Sequence, residues 1–154
     1  MTEVYDVDPD DRQNPSIPTK PPQCLEATKL NVAEATRQQV TINKRDQLQT
    51  EVLTFTFGGA SAGDCRWVHD TVHLYSDGRW LHIHHFRSAA DVFGDSIVTK
   101  MKVVDSLGYG IVNWKVQHGI DPGDNRTDEH QGRSDELIRL WDSIDGVIRS
   151  GSCE

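Results

Sequence analysis

The sequence predicts an all-β fold: a small antiparallel β-barrel of seven or eight strands with one short C-terminal helix, and a β-sandwich as the alternative. Short segments in which apolar and polar residues alternate recur along the chain, as expected for strands with one buried face. Gly, Asp, Asn and Ser separate these segments at turns, and helical spacing occurs near the C-terminus alone. Several strands carry large side chains on both faces, so we favour the barrel over the sandwich.

The chain begins with a segment that predicts a flexible acidic arm. With 154 residues in total, the chain fits one domain of ordinary size. Residues 1–23 carry an excess of acidic side chains and most of the six prolines, and such a segment buries too little apolar surface to offset its ordering entropy. We therefore assign residues 1–23 to the arm and residues 24–154 to a single β-barrel domain. The arm can also order against a partner subunit, which keeps a homodimer as an option.

The elements of the domain follow in order along the chain. Residues 25–36 fit neither period and are predicted as a short helix or a first strand. Residues 119–133 are polar and rich in turn residues, which predicts an exposed loop. Ser134 is predicted to cap a short helix that ends at Gly146. Strands are predicted over residues 39–43, 52–57, 66–75, 79–86, 96–104, 109–117 and 147–152.

The hairpin of residues 66–86 holds most of the histidines, namely His69, His73, His82, His84 and His85. A three-residue Ser76-Asp77-Gly78 loop pairs Asp70 with His84, whereas a two-residue Asp77-Gly78 turn pairs Thr71 with His84. Ser followed by Asp suits right-handed turn positions and Gly the left-handed one, so we favour the first register. One face of the hairpin then carries Val68, Asp70, Val72, Leu74, Trp80, His82, His84 and Phe86.

That face suggests a proton-transfer site inside an apolar chamber. A carboxylate opposite an imidazole fixes the tautomer of the ring and raises its basicity. We therefore predict that His84, assisted by Asp70, moves a proton and that Tyr109 polarises a carbonyl group. The residues predicted to contact the substrate are Trp80, His82, Phe86 and Trp114. The leading function is a small-molecule-binding, calycin-like barrel that acts as a cofactor-free cyclase or isomerase on a hydrophobic biosynthetic intermediate.

Two other functions fit the same residues. One is a non-catalytic ligand-binding or secreted interaction module, in which the histidines only fill or coat the barrel. The other is a metal-dependent barrel enzyme, because His82 and His84 lie on the same side of a strand, as paired imidazole ligands do in metal-binding barrels. The stretch lacks the downstream Glu and the glycine spacing of the cupin motif, so we assign no metal ligand and no cofactor.

The charge of the chain disfavours two classes of partner. It has 16 basic and 24 acidic residues, a net charge of −8, which argues against nucleic acid and against an anionic membrane surface. No stretch approaches the ~18 apolar residues of a membrane span. The acidic N-terminus lacks the basic and apolar regions of a secretory signal, so a cytoplasmic protein is expected from the chain as given, with a secreted protein as the alternative.

A set of short motifs carries a family resemblance: Phe55 to Phe57, Gly63-Asp64-Cys65, the Asp77-Gly78 turn, Ile144-Asp145-Gly146 and Ser152-Cys153. Over residues 52 to 153 the chain resembles a family of small, mostly secreted actinobacterial β proteins of unassigned function. The resemblance implies a compact β fold with Cys65 paired to Cys153, and it implies no activity. The cysteine positions alone leave that pairing open, because the two thiols would join only in an oxidising compartment.

Overall fold

The computed structural model describes residues 23–43 and 48–154. The predicted arm, residues 1–23, lies outside the described residues except for Gln23, the first residue of the first strand. Within the described ranges, no helix is long and apolar enough to cross a membrane.

The described chain consists of ten strands and a few short helical turns, which confirms the all-β class. The strands are β1 Gln23–Asn31, β2 Thr36–Asn43, β3 Leu48–Phe57, β4 Ala60–Ala62, β5 Cys65–Tyr75, β6 Arg79–Ser88, β7 Asp95–Val104, β8 Gly110–Ile120, β9 Asn125–Arg133 and β10 Gly146–Cys153. Helix α1, Asp135–Arg139, lies between β9 and β10. Single 3₁₀ turns occupy Val32–Glu34 and Trp141–Ser143.

The strands form two antiparallel sheets, and the predicted closed barrel is wrong. One sheet has the order β1-β10-β7-β8, and the other has the order β2-β3-β5-β6-β9 with β4 paired to β5. Closing a barrel would require backbone pairing between the sheets, for example between the edge strands β8 and β9. In the described part of the chain these edges are not paired. The architecture is therefore sandwich-like, which was the alternative expectation.

The β5–β6 hairpin has the favoured register. Asp70 pairs with His84, and Gly78 adopts a positive φ of 95° with its N–H donating to the Tyr75 carbonyl at 2.9 Å. This left-handed conformation suits glycine because it has no Cβ. A β-bulge between Trp67 and His69 changes one detail of the predicted face. It places Trp67, which is only 1% exposed, in the core in place of Val68.

The segment 119–133 was predicted as a loop, and this prediction is wrong. Most of it forms β9, which pairs with β6 so that His130 lies opposite His82 and Asp128 opposite His84. Because it carries almost no apolar side chains, the strand is stable only as an addition to the existing edge of β6. The predicted helix is present but short. It buries Leu137 completely against the core.

The core between the sheets consists of two apolar clusters separated by a polar layer. On β5, Trp67 belongs to one cluster and Val72 to the other. The residues between the clusters are Asp70 on β5, Thr99 on β7 and Arg149 on β10, and all three are buried. Polar groups in such a position destabilise the fold unless they are paired. This layer is therefore the candidate functional site.

Candidate functional site

Asp70 is the centre of the polar layer. Its side chain is fully buried, and one carboxylate oxygen, Oδ1, lies 2.7 Å from Nε2 of His82 and 2.6 Å from Nδ1 of His84. The other oxygen, Oδ2, accepts a hydrogen bond of 3.0 Å from Nη1 of Arg149. The hairpin supplies the carboxylate and both imidazoles, whereas the guanidinium comes from the opposite sheet. The network thus joins the two sheets.

The tautomer of His82 follows from its partners. The indole N–H of Trp114 donates to Nδ1 of His82 at 3.0 Å. An indole nitrogen can only donate, so Nδ1 of His82 carries no proton. The ring is therefore neutral, with its proton on Nε2 donated to Asp70. Both nitrogens of this fully buried ring therefore have hydrogen-bond partners.

His84 has partners on both nitrogens as well. Nδ1 contacts Asp70, and Nε2 lies 3.3 Å from the hydroxyl of Thr99. That hydroxyl accepts a hydrogen bond of 2.7 Å from the indole N–H of Trp67. The ring of Phe86 stacks on the ring of His84 with a centroid distance of 4.6 Å. Each histidine is thus linked to a tryptophan N–H. Trp114 donates directly to His82, and Trp67 donates to Thr99, whose hydroxyl contacts His84.

Arg149 balances the charge of the carboxylate. Its Nη1 also donates to the Gly58 carbonyl at 2.9 Å, and its guanidinium lies 5.2 Å from the centre of the Phe57 ring. The Nε atom of Arg149 is buried and has no hydrogen-bond partner among the described residues. Asp70 and Arg149 form an ion pair inside the core. Removing one partner of such a pair costs far more stability than the intact pair contributes.

Burial and hydrogen bonding set the protonation of this layer. Burial alone would raise the pKa of Asp70, but the hydrogen bonds from His82 and His84 outweigh it and hold that pKa well below its ordinary value. Burial lowers the pKa of His82, and the contact with Asp70 opposes this only in part. An ionised carboxylate next to a neutral His82 is therefore the stable state at neutral pH.

A second group of ionisable side chains lies at the edge between β8 and β9. The Nε2 atoms of His118 and His130 are 3.1 Å apart, and Oδ2 of Asp128 lies 3.3 Å from Nδ1 of His118. The His118 ring stacks on Phe86 at 4.8 Å and lies 5.9 Å from the His84 ring. Burial lowers the pKa of His118 to about 4 and also lowers the pKa of His130. The half-buried pair of His118 and His130 thus lies between the buried polar layer and solvent.

We predict that acid destabilises the metal-free protein. The unfolded chain binds protons at its histidines near pH ~6.5, whereas folded His82, His118 and His130 bind them only at lower pH. The free energy of unfolding is therefore at its full value above about pH 6.5 and falls as the pH decreases. The lowered pKa of Asp70 adds a further loss below about pH 4. Urea unfolding with a chelator at about pH 7.5 and about pH 5 measures the difference.

The matched variant for this measurement is His118→Gln. It removes one ring with a lowered pKa, so the decrease between the two pH values should become smaller. A free energy of unfolding that is equal or higher at the acidic pH in the parent protein would contradict the expected protonation of these rings.

The structure brings most of the predicted site residues together. Asp70, His82 and His84 form the network, and Phe86 contacts it. Trp114 bonds to His82 and stacks on Trp80, with ring centroids 4.1 Å apart. Tyr109 is not part of the group, because it is 69% exposed in the turn between β7 and β8. Its predicted role in an interior chamber has no support in its position.

Sequence reasoning missed the residues that come from other strands, namely Trp67, Thr99, His118, Asp128, His130 and Arg149. Arg149 had one signal, since it occupies an inward position in an otherwise small and apolar closing strand. His118 and His130 had none, because His118 lies just beyond the predicted strand of residues 109–117 and His130 lies in the segment predicted as a loop. Their pairing depends on which strands become the sheet edges.

The buried triad also has the donor types of a metal site. Its ligand atoms from Asp70, His82 and His84 lie within 4.8 Å of one another. The contacts of 2.6 and 2.7 Å are hydrogen-bond distances, and the Arg149 guanidinium occupies the other side of the carboxylate. A dication here would have to displace the proton of His82 and repel Arg149, so hydrogen bonding accounts for this arrangement better than a metal does.

The fold and the site define a disulfide-bonded antiparallel β-sandwich with a buried Asp–His–Arg network. Cys65 and Cys153 are joined in the structure, with Cα atoms 5.7 Å apart, and they connect β5 of one sheet to β10 of the other. No protein-family model matches the chain, and no curated protein matches it either. The geometry of this molecule is therefore the basis for proposing a function.

Proposed function

We propose that this protein is a non-catalytic ligand-binding module, which binds a small organic molecule on its surface and not in an interior chamber. The observation that carries the proposal is the closure of the polar layer. Asp70, His82 and His84 have no exposed surface, and each ring nitrogen of the two imidazoles has a partner. A residue that transfers protons to a substrate must come within hydrogen-bond reach of it.

The cyclase or isomerase function, which the sequence favours, is less well supported by this arrangement. It needs a chamber beside His84, but Phe86, Trp67 and Thr99 pack around that ring. The metal-dependent enzyme with His82 and His84 as ligands has the same difficulty, since Arg149 faces the shared carboxylate. The network is better suited to holding the two sheets together than to chemistry.

The proposed ligand site is the groove beside Trp80, defined here as the Trp80 groove. It has a volume of about 430 Å³ and is lined by Tyr75, Arg79, Trp80, Leu81, Gln131, Gly132 and Arg133. This volume lies in the range of small-molecule sites. Trp80 was predicted as a ligand contact, and the groove is where that prediction retains support.

Trp80 borders the groove from the side of the core, where its ring packs inward. It is stacked on Trp114 with an angle of 9° between the rings. Opposite it, Gly132 allows a close approach, because a Cβ there would lie only 2.5 Å from ring atoms of Trp80. The packed ring of Trp80 fixes this part of strand β6 before a ligand binds, which lowers the entropic cost of binding.

The chemistry of the groove favours a ligand with a flat apolar body and an acidic group. Tyr75 and Leu81 provide apolar contact, and Arg79 and Arg133 provide two guanidinium groups. Arg79 is partly neutralised because it pairs with Asp77 at 2.8 Å. Arg133 is therefore the side chain to which we assign the recognition of a carboxylate, since guanidinium groups bind carboxylates in two-pronged geometry.

We assign the protein to an oxidising compartment as part of the same proposal. The disulfide between Cys65 and Cys153 supports this, because such bonds persist outside the reducing cytosol. The resemblance to mostly secreted actinobacterial β proteins supports it as well. A secreted protein of this kind is the alternative expected from the sequence, whereas reduced thiols would accompany a cytoplasmic one.

The groove is tested by an NMR screen with a set of small aromatic carboxylates. We expect one or more of them to shift the backbone amide signals of Trp80, Leu81 and Gln131. The variant Leu81→Glu places a repelling charge in the groove and should abolish these shifts. Tyr109→Ala, an exposed change outside the groove, should leave them unchanged.

Two results would contradict the proposal. One is the absence of any shift at Trp80 with every compound in the set. The other is a compound whose shifts centre on His84 and Asp70 and whose turnover is lost in His84→Ala, which would restore the catalytic alternative.

A further inference from the structure

The edge of the sandwich between β8 and β9 brings two imidazoles together without backbone pairing. His118 lies on the inward-facing side of β8, and His130 lies on the inward-facing side of β9, opposite His82. Their Nε2 atoms are 3.1 Å apart. The two nitrogens therefore meet across the gap where a closed barrel would have had a row of backbone hydrogen bonds.

The neighbouring carboxylate of Asp128 favours one proton position on His118. Oδ2 of Asp128 lies 3.3 Å from Nδ1 of His118, and a carboxylate can only accept protons at neutral pH. This contact favours the tautomer with the ring proton on Nδ1, in which Nε2 carries the lone pair that faces His130. A carboxylate on the outer nitrogen of a metal-binding histidine is the usual means of orienting such a ring.

The separation of the two nitrogens is that of a hydrogen bond in the metal-free protein, and it also fits a shared metal ion. With metal–nitrogen bonds of about 2.05 Å, two atoms 3.1 Å apart subtend an angle of about 98° at the metal. This value lies between the ~90° of tetragonal geometry and the ~109° of a tetrahedron. The same ligand types occur in both classes, and neutral imidazole suits zinc, copper and nickel.

The surroundings leave the pair neutral and reachable. Burial lowers the pKa of both rings, so their nitrogens carry no additional proton at neutral pH. The side chains of His118 and Asp128 are 16% and 35% exposed, which leaves room for water on an ion. The guanidinium of Arg126 lies over the Phe86 ring, and its positive charge disfavours a bound cation. The Asp128 carboxylate offsets that charge. The His84 and His82 rings are the other ionisable groups that face the pair.

We propose that His118 and His130 bind one divalent transition-metal ion of the zinc and copper class through their Nε2 atoms, with Asp128 as the residue that positions His118. Water or an external ligand completes the coordination. The site is separate from the buried triad and from the Trp80 groove, and it goes beyond the proposed ligand binding. Among divalent ions, Cu²⁺ binds more tightly than Ni²⁺ or Zn²⁺.

The test uses the untagged full chain in a Cys24→Ser background, because Cys24 is an exposed free thiol. Zn²⁺ is titrated into metal-free protein by calorimetry, and Cu²⁺ is examined by electron paramagnetic resonance. We expect one ion per chain and nitrogen couplings from two imidazoles. His118→Gln and His130→Gln should each weaken Zn²⁺ binding about tenfold or more, and Asp128→Asn should weaken it about tenfold.

The control is His85→Gln, which removes a histidine from the other accessible ring pair, His69 and His85. This variant should bind Zn²⁺ as the parent does. Urea unfolding in chelator shows whether each variant is folded, and Asp128→Asn should unfold like the parent there. If a histidine variant does not fold, the test is made by adding substoichiometric Cu²⁺ to the parent protein. The ion should broaden the NMR signals of the His118 and His130 rings before those of other histidines.

Three results would overturn the assignment. They are no Zn²⁺ binding by the parent, binding that persists in the double variant His118→Gln/His130→Gln, and Cu²⁺ broadening centred on His69 and His85.

Discussion

Replacing Asp70 by Asn is expected to destabilise the protein by about 3–5 kcal/mol. The substitution keeps the shape of the side chain but leaves the buried Arg149 guanidinium without its counter-charge. It also places an amide N–H₂ where donors from His82, His84 and Arg149 now converge. Because domains are stable by only about 5–15 kcal/mol, this is a large fraction of the total. Urea unfolding at neutral pH measures the loss.

Two further variants make this result interpretable. Asp142→Asn changes an exposed carboxylate and should alter the free energy of unfolding by about 0.5 kcal/mol or less. The double variant Asp70→Asn/Arg149→Gln should lose less than the sum of the two single changes, because no unpaired ion is left in the core. An Asp70→Asn protein as stable as the parent would show that the network does not hold the sheets together.

Removing the disulfide is expected to have an effect of similar size. The bond between Cys65 and Cys153 closes a loop with a sequence separation of 88, for which loop-closure entropy predicts about 4.5 kcal/mol of stabilisation. It also joins the two sheets, which share no backbone ladder in the described chain. The double variant Cys65→Ala/Cys153→Ala should therefore unfold at a much lower urea concentration.

The control is Cys24→Ser, because Cys24 is exposed and unbonded. It should leave the unfolding midpoint unchanged. Alkylation of the oxidised protein before reduction should label Cys24 alone. Labelling of all three cysteines in protein purified without reductant, or equal stability of the double variant, would contradict the role given to the disulfide.

The hairpin could be predicted because its register depends on local residues. Ser76-Asp77-Gly78 selects a three-residue loop with Gly78 left-handed, and this fixes Asp70 opposite His84. The contact between the candidate residues Asp70 and His84 then follows from this one hairpin. The bulge that turns Trp67 inward was not predictable in the same way, because it depends on what packs beneath the sheet.

The partners from distant strands could not be predicted. Arg149 reaches Asp70 from the opposite sheet, and nothing in either local sequence defines how the sheets are stacked. The strand β9 has a polar composition that is typical of loops, and it forms by extending the edge of β6. His130 reached the site only through that pairing, so its meeting with His118 is a property of the tertiary fold.

The barrel was predicted from strands with large side chains on both faces. In the structure some of these belong to the outer surface, where His73 bonds to Thr54 and His69 contacts His85. Large polar rings can thus coat a sheet without facing a second interior. An alternating pattern identifies strands well, but it does not distinguish a closed barrel from a pair of open sheets.

The most direct test of the closed polar layer is NMR of the imidazole nitrogens and protons of His82. We predict a neutral ring with its proton on Nε2, an acceptor nitrogen at Nδ1 bonded to the Trp114 indole, and slow exchange of the Nε2 proton with solvent. The ring should not titrate near its ordinary pKa of ~6.5. Rapid exchange of that proton, or titration near that value, would show that solvent reaches the layer and would contradict the account of a buried structural network.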